Sequence, residues 1–271
     1  MTNFTTEPAD LADVQGSADE RNIKIDKVGV KDIRYPIVVK DRSNQAQNTI
    51  GLINMYVELP HHFKGTHMSR FLEVLNQHNG SIGVDRVPEI LELMRDRLEA
   101  ETAHFAVTFS YFMQKKAPIT GAPGMMAYDC GFEASSGAMN DFVLSVCVPI
   151  ATLCPCSKEI SDRGAHNQRG NVEVKVRFDG ELWIEELVEI VEESASCDLY
   201  PVLKREDEKF VTEKAFDNPR FVEDMVREVA IRLRKDKKIK WFQVQVENFE
   251  SIHAHNAYAF LEEGQAPEGI S

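Results

Sequence analysis

The chain repeats one order of secondary-structure patterns twice, and this repetition limits the folds open to it. In each half, two alternating apolar stretches typical of strands precede two amphipathic stretches typical of helices, and two more strand patterns follow. Any amphipathic helix shows similar apolar spacing, so the shared order of six elements argues best for an internal duplication. Each unit predicts a four-stranded antiparallel sheet with two helices on one face. The second helix of each unit has the same apolar offsets, at Val87, Ile90, Leu91, Met94 and Leu98 and at Val222, Met225, Val226, Val229 and Leu233.

The predicted elements fall into two matching sets. In the first half we expect strands near 28–40, 49–59, 105–111 and within 125–135, with helices over 67–78 and 86–100. In the second half we expect strands over 140–152, 171–178, 240–248 and 254–262, with helices over 182–194 and 219–234. The predicted domains are a disordered acidic tail at 1–26, a first module at 27–137, a second module at 138–263 that carries most of the active site, and a tail at 264–271.

Composition excludes several classes of protein. With 43% hydrophobic and 28% charged residues, the 271-residue chain is typical of a soluble globular protein. A formal charge of −13 argues against a broad nucleic-acid-binding face. The chain has no apolar run long enough to span a membrane and no apolar signal-peptide core, so we expect a cytoplasmic location. The five unevenly spaced cysteines do not suggest a disulfide framework, and we expect Cys147 to be a buried apolar residue.

Residues 154–169 carry the densest cluster of reactive side chains in the chain. Cys154, Cys156 and His166 lie in a stretch with neither helical nor strand periodicity, directly after the apolar strand that ends at Leu153. Thiolate and imidazole are ligands of zinc-like metals, and a single Cys-x-Cys pair argues against a closed four-thiolate site. With a carboxylate and a water, a thiolate and an imidazole would form an open catalytic metal site. The alternatives are a buried thiol with a surface histidine, or a cysteine–histidine nucleophilic pair.

Three other clusters lie at predicted loops or helix ends. Residues 204–209 hold an acidic triplet between basic residues, which favours a solvated loop. Residues 247–255 place glutamates and histidines between two predicted strands, where they suit proton transfer. Residues 65–70 begin a predicted helix, which is typical of either a simple helix cap or an anion site.

Three segments of the chain carry a family resemblance. They are Cys154–Ser161 with Gly164–Arg169, Gly65–Phe71, and Glu250–His255. Together they closely resemble the signature of type IB GTP cyclohydrolase I, and the similarity extends in order from about residue 27 to 263. The acidic tail before residue 27 carries none of it.

The resemblance implies a fold, an assembly and a reaction. The fold would be α+β, a bimodular tunnelling fold (T-fold) of two tandem ββααββ units, which agrees with the duplication. The protein would form a homotetramer with active sites at the subunit interfaces. It would hydrolyse GTP to 7,8-dihydroneopterin triphosphate and formate, the first step of folate biosynthesis.

The resemblance also implies roles for individual residues. The metal ligands would be Cys154, His166 and Glu208, with water completing the shell of one zinc, manganese or iron ion per site. Glu223 would accept the guanine N1–H and 2-amino group, and Cys154, Glu250 and His253 would be catalytic, the last two in proton transfer. The triphosphate would be held by Ser157, Lys158 and Arg169.

Other functions remain open at this point. A related tunnelling-fold enzyme, the nitrile reductase of the queuosine pathway, would use its cysteine as a nucleophile with a nicotinamide cofactor and no metal. A related cyclohydrolase would release a cyclic phosphate. A non-catalytic metal-binding or purine-binding protein would bind GTP without releasing formate.

Overall fold

The strands and helices follow the order that the repeated patterns predict, with three additional elements in the second half. The computed structural model describes residues 13–43, 45–77 and 86–264. The strands are β1 (Ile25–Asp41), β2 (Gln45–Leu59), β3 (Ala103–Lys116), β4 (Pro123–Ser136), β5 (Asp141–Leu153), β6 (Asn167–Phe178), β7 (Cys197–Asp198), β8 (Ile239–Asn248) and β9 (Ala257–Gly264). The helices are α1 (Met68–Gln77), α2 (Val87–Leu98), α3 (Pro155–Ile160), α4 (Ile184–Ser194), α5 (Arg205–Asp217) and α6 (Val222–Leu233).

The strands form one antiparallel sheet. Its order is β1-β2-β3-β4-β5-β6-β8-β9, and the short strand β7 pairs with β5. The two halves meet where β4 pairs with β5, with Asp129 opposite Cys147 and Ser135 opposite Asp141. The two four-stranded sheets predicted from the repeat are therefore continuous with each other.

Helices α1, α2, α4 and α6 pack into one core with alternate residues of the strands. In β3, for example, Val107 and Phe109 are buried, whereas Thr108 between them is exposed. The five apolar positions predicted on α2 and the five on α6 are all buried. The predicted apolar faces of the two helices are thus confirmed. Within the described residues, no helix is long and apolar enough to cross a membrane.

Helix α5 occupies a segment that was predicted to be a loop, so that prediction is wrong. Its start is fixed by the buried carboxylate of Asp207, which accepts the backbone N–H groups of Lys204, Ile119 and Thr120 at 2.9 Å each. Burial alone would raise the pKa of Asp207, but these bonds, together with the Thr120 hydroxyl, hold it below its usual range. Only Asp207 and Ala215 of α5 are buried, so the helix lacks the apolar periodicity that predicts one.

Helices α3 and α6 also differ from the predictions. Helix α3 lies in the stretch that was predicted to lack regular structure. It was not predicted because a helix of fewer than two turns is too short to show a helical period in the sequence. Helix α6 begins at Val222 rather than at 219. The carboxylate of Asp224 accepts the N–H of Phe221 at 3.0 Å and so satisfies a backbone donor at this helix start.

The N-terminal segment is partly paired with the rest of the chain. The N–H of Lys64 donates to the Ser17 carbonyl at 3.0 Å, and the N–H of Gly65 donates to the Gln15 carbonyl at 3.1 Å. The prediction of a disordered tail therefore does not hold for these residues. Residues 1–12 and 265–271 lie outside the described residues, and the module boundaries at 27–137 and 138–263 stay predictions.

All five cysteines are free thiols, in different surroundings. Cys130 and Cys197 are buried, and burial raises the pKa of both, that of Cys197 to about 11. Cys147 was predicted to be buried but is partly exposed, because it alternates with Val146 and Val148 and so lies on the sheet face opposite the core. Partial burial still raises the pKa of Cys147 to about 11.

Candidate active site

A cavity of about 260 Å³ brings together five of the residues predicted for the site. Cys154 and His166 line it from the connection between β5 and β6. Glu223 lines it from the first turn of α6, and Glu250 and His253 line it from the connection between β8 and β9. All three segments belong to the second half of the chain, and the strand order β5-β6-β8-β9 places their ends side by side.

The segment around α3 holds Cys154 and His166 next to each other. Cys154 directly precedes the helix, and its N–H donates to the His166 carbonyl at 3.1 Å. The Ser157 hydroxyl donates to the Cys154 carbonyl and accepts the His166 N–H, both at 3.2 Å. The Ser157 N–H also donates to Cys154 Sγ at 3.4 Å. Ser157, predicted to bind triphosphate, therefore links the backbones of the two predicted metal ligands by hydrogen bonds.

The donors at Cys154 and His166 suit a divalent metal, but a third ligand is not beside them. Across the described parts of the chain, no group of three or more His, Cys, Asp and Glu side chains is placed to hold an ion. Glu208 is exposed in the first turn of α5 and does not line the cavity. Phe216, whose carbonyl contacts Lys158 of α3, lies eight positions further along α5, so about 12 Å of helix lies between Glu208 and this end of α5. One chain thus presents two of the three predicted ligands together.

The connection between β8 and β9 carries the residues predicted for proton transfer. Glu250 is half-buried, and its Oε2 atom is buried without a hydrogen-bond partner among the described residues. His253 is exposed and stacks on His255, with ring centroids 5.2 Å apart. The connection is anchored by the Phe249 N–H, which donates to the Arg169 carbonyl at 2.9 Å. Because a buried, unpaired carboxylate oxygen is costly, Glu250 is suited to accept a hydrogen bond from a ligand.

Groups of opposite charge meet on the α6 side of the cavity. Glu223 lies in the first turn of α6, where the helix dipole favours a carboxylate. Arg220 precedes the helix, with its N–H bound to the Leu153 carbonyl at 3.0 Å and Nη1 3.8 Å from Glu228 Oε1. The Nε atom of Arg220 is buried and lacks a hydrogen-bond partner in the described ranges. This side of the cavity therefore offers a ligand both a carboxylate acceptor and an unpaired donor.

The cations predicted to bind triphosphate lie outside the cavity lining. Lys158 directs Nζ to the carbonyl oxygen of Phe216, and the ammonium lies 4.4 Å from the centroid of the Phe216 ring. Arg169 is exposed on β6 and does not line the cavity. One of the three ammonium donors of Lys158 is thus used by the Phe216 carbonyl, which leaves two for a phosphate.

Three polar residues of the cavity were missed by sequence reasoning: Gln168, Arg220 and Asn248. Gln168 follows His166 by two positions, so strand alternation from His166 could have placed both side chains on one side. Asn248 ends β8 opposite Gly170. A Cβ at residue 170 would lie 2.5 Å from Asn248 Oδ1, so the glycine makes room for this amide. Arg220 gave no signal beyond its closeness to a predicted helix start.

Comparisons with known proteins show which family the chain belongs to. The family model described as type I GTP cyclohydrolase FolE2 matches residues 11–259. The chain belongs to that family. A relative named GTP cyclohydrolase FolE2 from Syntrophobacter fumaroxidans is 57% identical over 254 residues, covering 93% of this chain and 99% of the relative. Another of that name, from Magnetococcus marinus, is 57% identical over 256 residues, covering 94% and 97%. The resemblance to type IB GTP cyclohydrolase I is therefore confirmed, although the match begins at residue 11, within the tail that was expected to carry none of it.

Solved urate oxidase structures share the fold. A hyperthermostable mutant of Bacillus sp. TB-90 urate oxidase aligns with a TM-score of 0.52 at 7% identity, covering 89% of this chain and 99% of that chain. The urate oxidase of the same organism without chloride aligns with a TM-score of 0.51 at 7% identity, covering 89% and 100%. Identities this low show the fold alone. With the antiparallel sheet and its helices, they confirm the predicted α+β tunnelling fold.

Proposed function

We propose that this protein is a GTP cyclohydrolase, which converts GTP and water to 7,8-dihydroneopterin triphosphate and formate in the first step of folate biosynthesis. The observation that carries the proposal is the cavity that joins Cys154, His166, Glu223, Glu250 and His253 in a chain of the FolE2 family. A thiol, two imidazoles and two carboxylates on separate segments supply the metal donors and proton-transfer groups that suit hydrolysis of a ring C–N bond.

We infer that Cys154 and His166 hold one divalent metal ion per active site. Thiolate with imidazole favours zinc, while a carboxylate ligand also suits manganese or iron. When bound, the ion would supply Lewis acidity for hydrolysis. Glu208 is the proposed third ligand. Because it lies outside the cavity, ligation by all three residues requires that α5 move or that a second copy of the chain complete the site.

The carboxylates and His253 have separate proposed roles. Glu223 would accept the guanine N1–H and 2-amino group in two parallel charge-assisted hydrogen bonds, which would orient the base. Glu250 would accept a proton or a hydrogen bond at its buried Oε2 atom, which has no other partner in the described residues. His253 is exposed and can exchange a proton with solvent while facing the cavity, as transfer to the purine ring would require.

The size of the cavity limits how much of GTP a single chain can enclose. A volume of about 260 Å³ is below the roughly 300–1,000 Å³ of typical small-molecule sites, so it suits a guanine base better than a whole nucleotide. The triphosphate would then extend outward to Ser157, Lys158 and Arg169, which lie outside the lining. We propose a homotetramer whose subunit interfaces enclose this part of GTP.

The remaining proposals rest on composition. A net charge of −13 disfavours a nucleic-acid partner, so the expected partners are GTP and the other subunits of the tetramer. We propose that the protein acts in the cytoplasm, without a membrane partner.

The deciding experiment is formate release from GTP by metal-stripped protein, with zinc, manganese or iron added back singly. We expect formate with at least one metal, and a product whose mass is that of 7,8-dihydroneopterin triphosphate. A product with the mass of a cyclic phosphate would show that the enzyme releases that compound instead. Bound GTP without formate under every metal would reject the enzyme in favour of a purine-binding protein, and NADPH consumption would indicate a reductase.

A further inference from the structure

The ring of His166 is held by a buried amide that has no part in the proposed chemistry. Gln168 Oε1 lies 3.1 Å from His166 Nδ1. On its other side, Gln168 Nε2 donates to Thr152 Oγ1 at 2.9 Å. Gln168 is 8% exposed and Thr152 is fully buried, so this chain of contacts runs from the cavity into the protein.

The sheet fixes the positions of the members of this chain. Thr152 on β5 and Gln168 on β6 are paired opposite each other in the strand register, one pair before the strands end. A buried amide that lost its partners would cost free energy, so both ends of the Gln168 side chain are constrained. The rotation of the His166 ring is therefore set by the two rigid strands, although His166 itself lies in a connection.

A second group also faces the Nδ1 atom of His166. Ser251 Oγ lies 3.1 Å from it, but Ser251 is exposed and belongs to the connection between β8 and β9. Both contacts occupy the same ring nitrogen, so Nε2 is the nitrogen left to face a ligand in the cavity. A metal on Nε2 requires that Nδ1 carry the proton, and that proton needs an acceptor.

We propose that Gln168 is a positioning residue for the metal, a role that rests on the proposed binding of the ion by Cys154 and His166. The amide oxygen of Gln168 accepts the Nδ1–H of His166 and thereby keeps the Nε2 lone pair directed at the ion. Thr152 accepts from the amide nitrogen, and in this arrangement the amide oxygen faces the ring. Groups that hold a metal-bound histidine in this way typically change metal affinity by about 10- to 100-fold.

The test compares two substitutions of Gln168 that differ in their ability to accept a hydrogen bond. Gln168→Met keeps the length of the side chain but removes the amide oxygen, so we expect the zinc dissociation constant to rise about 10- to 100-fold. Gln168→Glu keeps an acceptor toward Nδ1–H, and the Thr152 hydroxyl can rotate to donate to the other oxygen. We expect it to bind zinc within about threefold of the unaltered protein. The measurement is competition for zinc between metal-stripped full-length protein and a chromogenic chelator.

The controls separate this role from packing and from the metal site itself. Ser251→Ala should change zinc affinity by less than about threefold, because its hydroxyl is exposed and water can replace it. Equal weakening by Gln168→Met and Gln168→Glu would reduce Gln168 to a packing role and overturn the proposal, as would no weakening by Gln168→Met. If Cys154→Ala binds zinc as tightly as the unaltered protein, the metal site of the proposed function fails as well.

A measurement without substitution guards against a variant that does not fold. In zinc-loaded protein with ¹⁵N-labelled histidine, two-bond ¹H–¹⁵N correlations identify which nitrogen of each ring is protonated. We expect His166 to carry its proton on Nδ1. A ring that is unprotonated at Nδ1 would overturn the proposal, because Gln168 Oε1 would then have nothing to accept.

Discussion

The two halves of the chain share a framework and differ in the segments that connect it. Helices α2 and α6 bury apolar residues at matching offsets, and strands β1 to β4 correspond to β5, β6, β8 and β9. In the first half, residues 42–44 join β1 to β2, whereas residues 154–166 with α3 join β5 to β6. Residues 117–122 join β3 to β4, whereas residues 249–256 join β8 to β9.

This difference shows that two halves can share the same strands and helices while the reactive residues lie in the connections of only one of them. The cavity is lined from the longer connections of the second half and from the residues at the start of α6. Loops accept insertions and carry function because the scaffold beneath them stays rigid. The first half, with the same framework, therefore serves as an internal control for the second.

Removal of the Cys154 thiol should have the largest effect. We expect Cys154→Ala to lower formate release from GTP by at least about 1,000-fold, because it removes one of the two metal donors that meet in the cavity. The matched control is Cys147→Ala, which removes a partly exposed thiol of β5 from the face opposite the core and should leave activity near that of the unaltered protein. Circular dichroism should show both variants folded. Formate release by Cys154→Ala within tenfold of the unaltered protein would break the assignment of the chemistry to the second half.

Equivalent core positions in the two halves should cost similar stability but affect activity differently. Ile90 of α2 and Met225 of α6 occupy the same offset and are both fully buried. We expect Ile90→Ala and Met225→Ala each to lower the free energy of unfolding by about 3 kcal/mol, measured by urea denaturation. Only Met225→Ala should also lower kcat/KM for GTP, since α6 carries Glu223. Equal losses of activity in both variants, under conditions where both are folded, would contradict a division of labour between the halves.

Replacement of the Glu223 carboxylate should weaken GTP binding by a smaller factor. We expect Glu223→Gln to raise the KM for GTP about 10- to 100-fold, because an amide offers one acceptor where guanine presents two donors. The matched control in the first half is Glu89→Gln, which alters an exposed residue in the first turn of α2 and should leave KM unchanged. Unaltered affinity of the Glu223→Gln variant for GTP would show that Glu223 does not bind guanine.

The same contrast explains what the sequence could and could not reveal. The core helices α2 and α6 were predictable because buried apolar residues recur with the helical period. Helix α5 was not, since its start depends on Asp207 bonded to Ile119 and Thr120, which are remote in the chain. Cys154 and His166 could be paired from their motif. The position of Glu208 depends on where α5 packs, which no local pattern records.

A partly buried group of charged side chains joins the two halves and includes one residue of α5. Nζ of Lys115, on β3, lies 2.7 Å from Glu192 Oε1 and 3.1 Å from Asp198 Oδ2. Nζ of Lys214, on α5, lies 2.7 Å from the other oxygen of Asp198. Burial alone would raise the pKa of Asp198, but hydrogen bonds from Lys214 and Tyr200 and the charge of Lys115 outweigh it and bring the pKa to about 2. Burial raises the pKa of Glu192, whereas the pKa of Asp198 is lowered, so their contributions to stability change in opposite directions as pH rises.

Substitution of Asp198 should therefore give the smallest effect, one that depends on pH. Because the folded pKa of Asp198 is below its usual 3.8, its carboxylate stabilises the fold above about pH 4, and this contribution is lost as pH falls toward 2. We expect Asp198→Asn to lower the free energy of unfolding by about 2 kcal/mol at pH 7, with the difference from the unaltered protein shrinking between pH 4 and 2. Comparing the two proteins at each pH, by urea denaturation, removes most of the contribution of Glu192.

The control Asp179→Asn alters an exposed acid near Lys240 and should have no measurable effect. A difference that stays constant from pH 5 to 2 would mean that Asp198 joins the halves by packing rather than by charge.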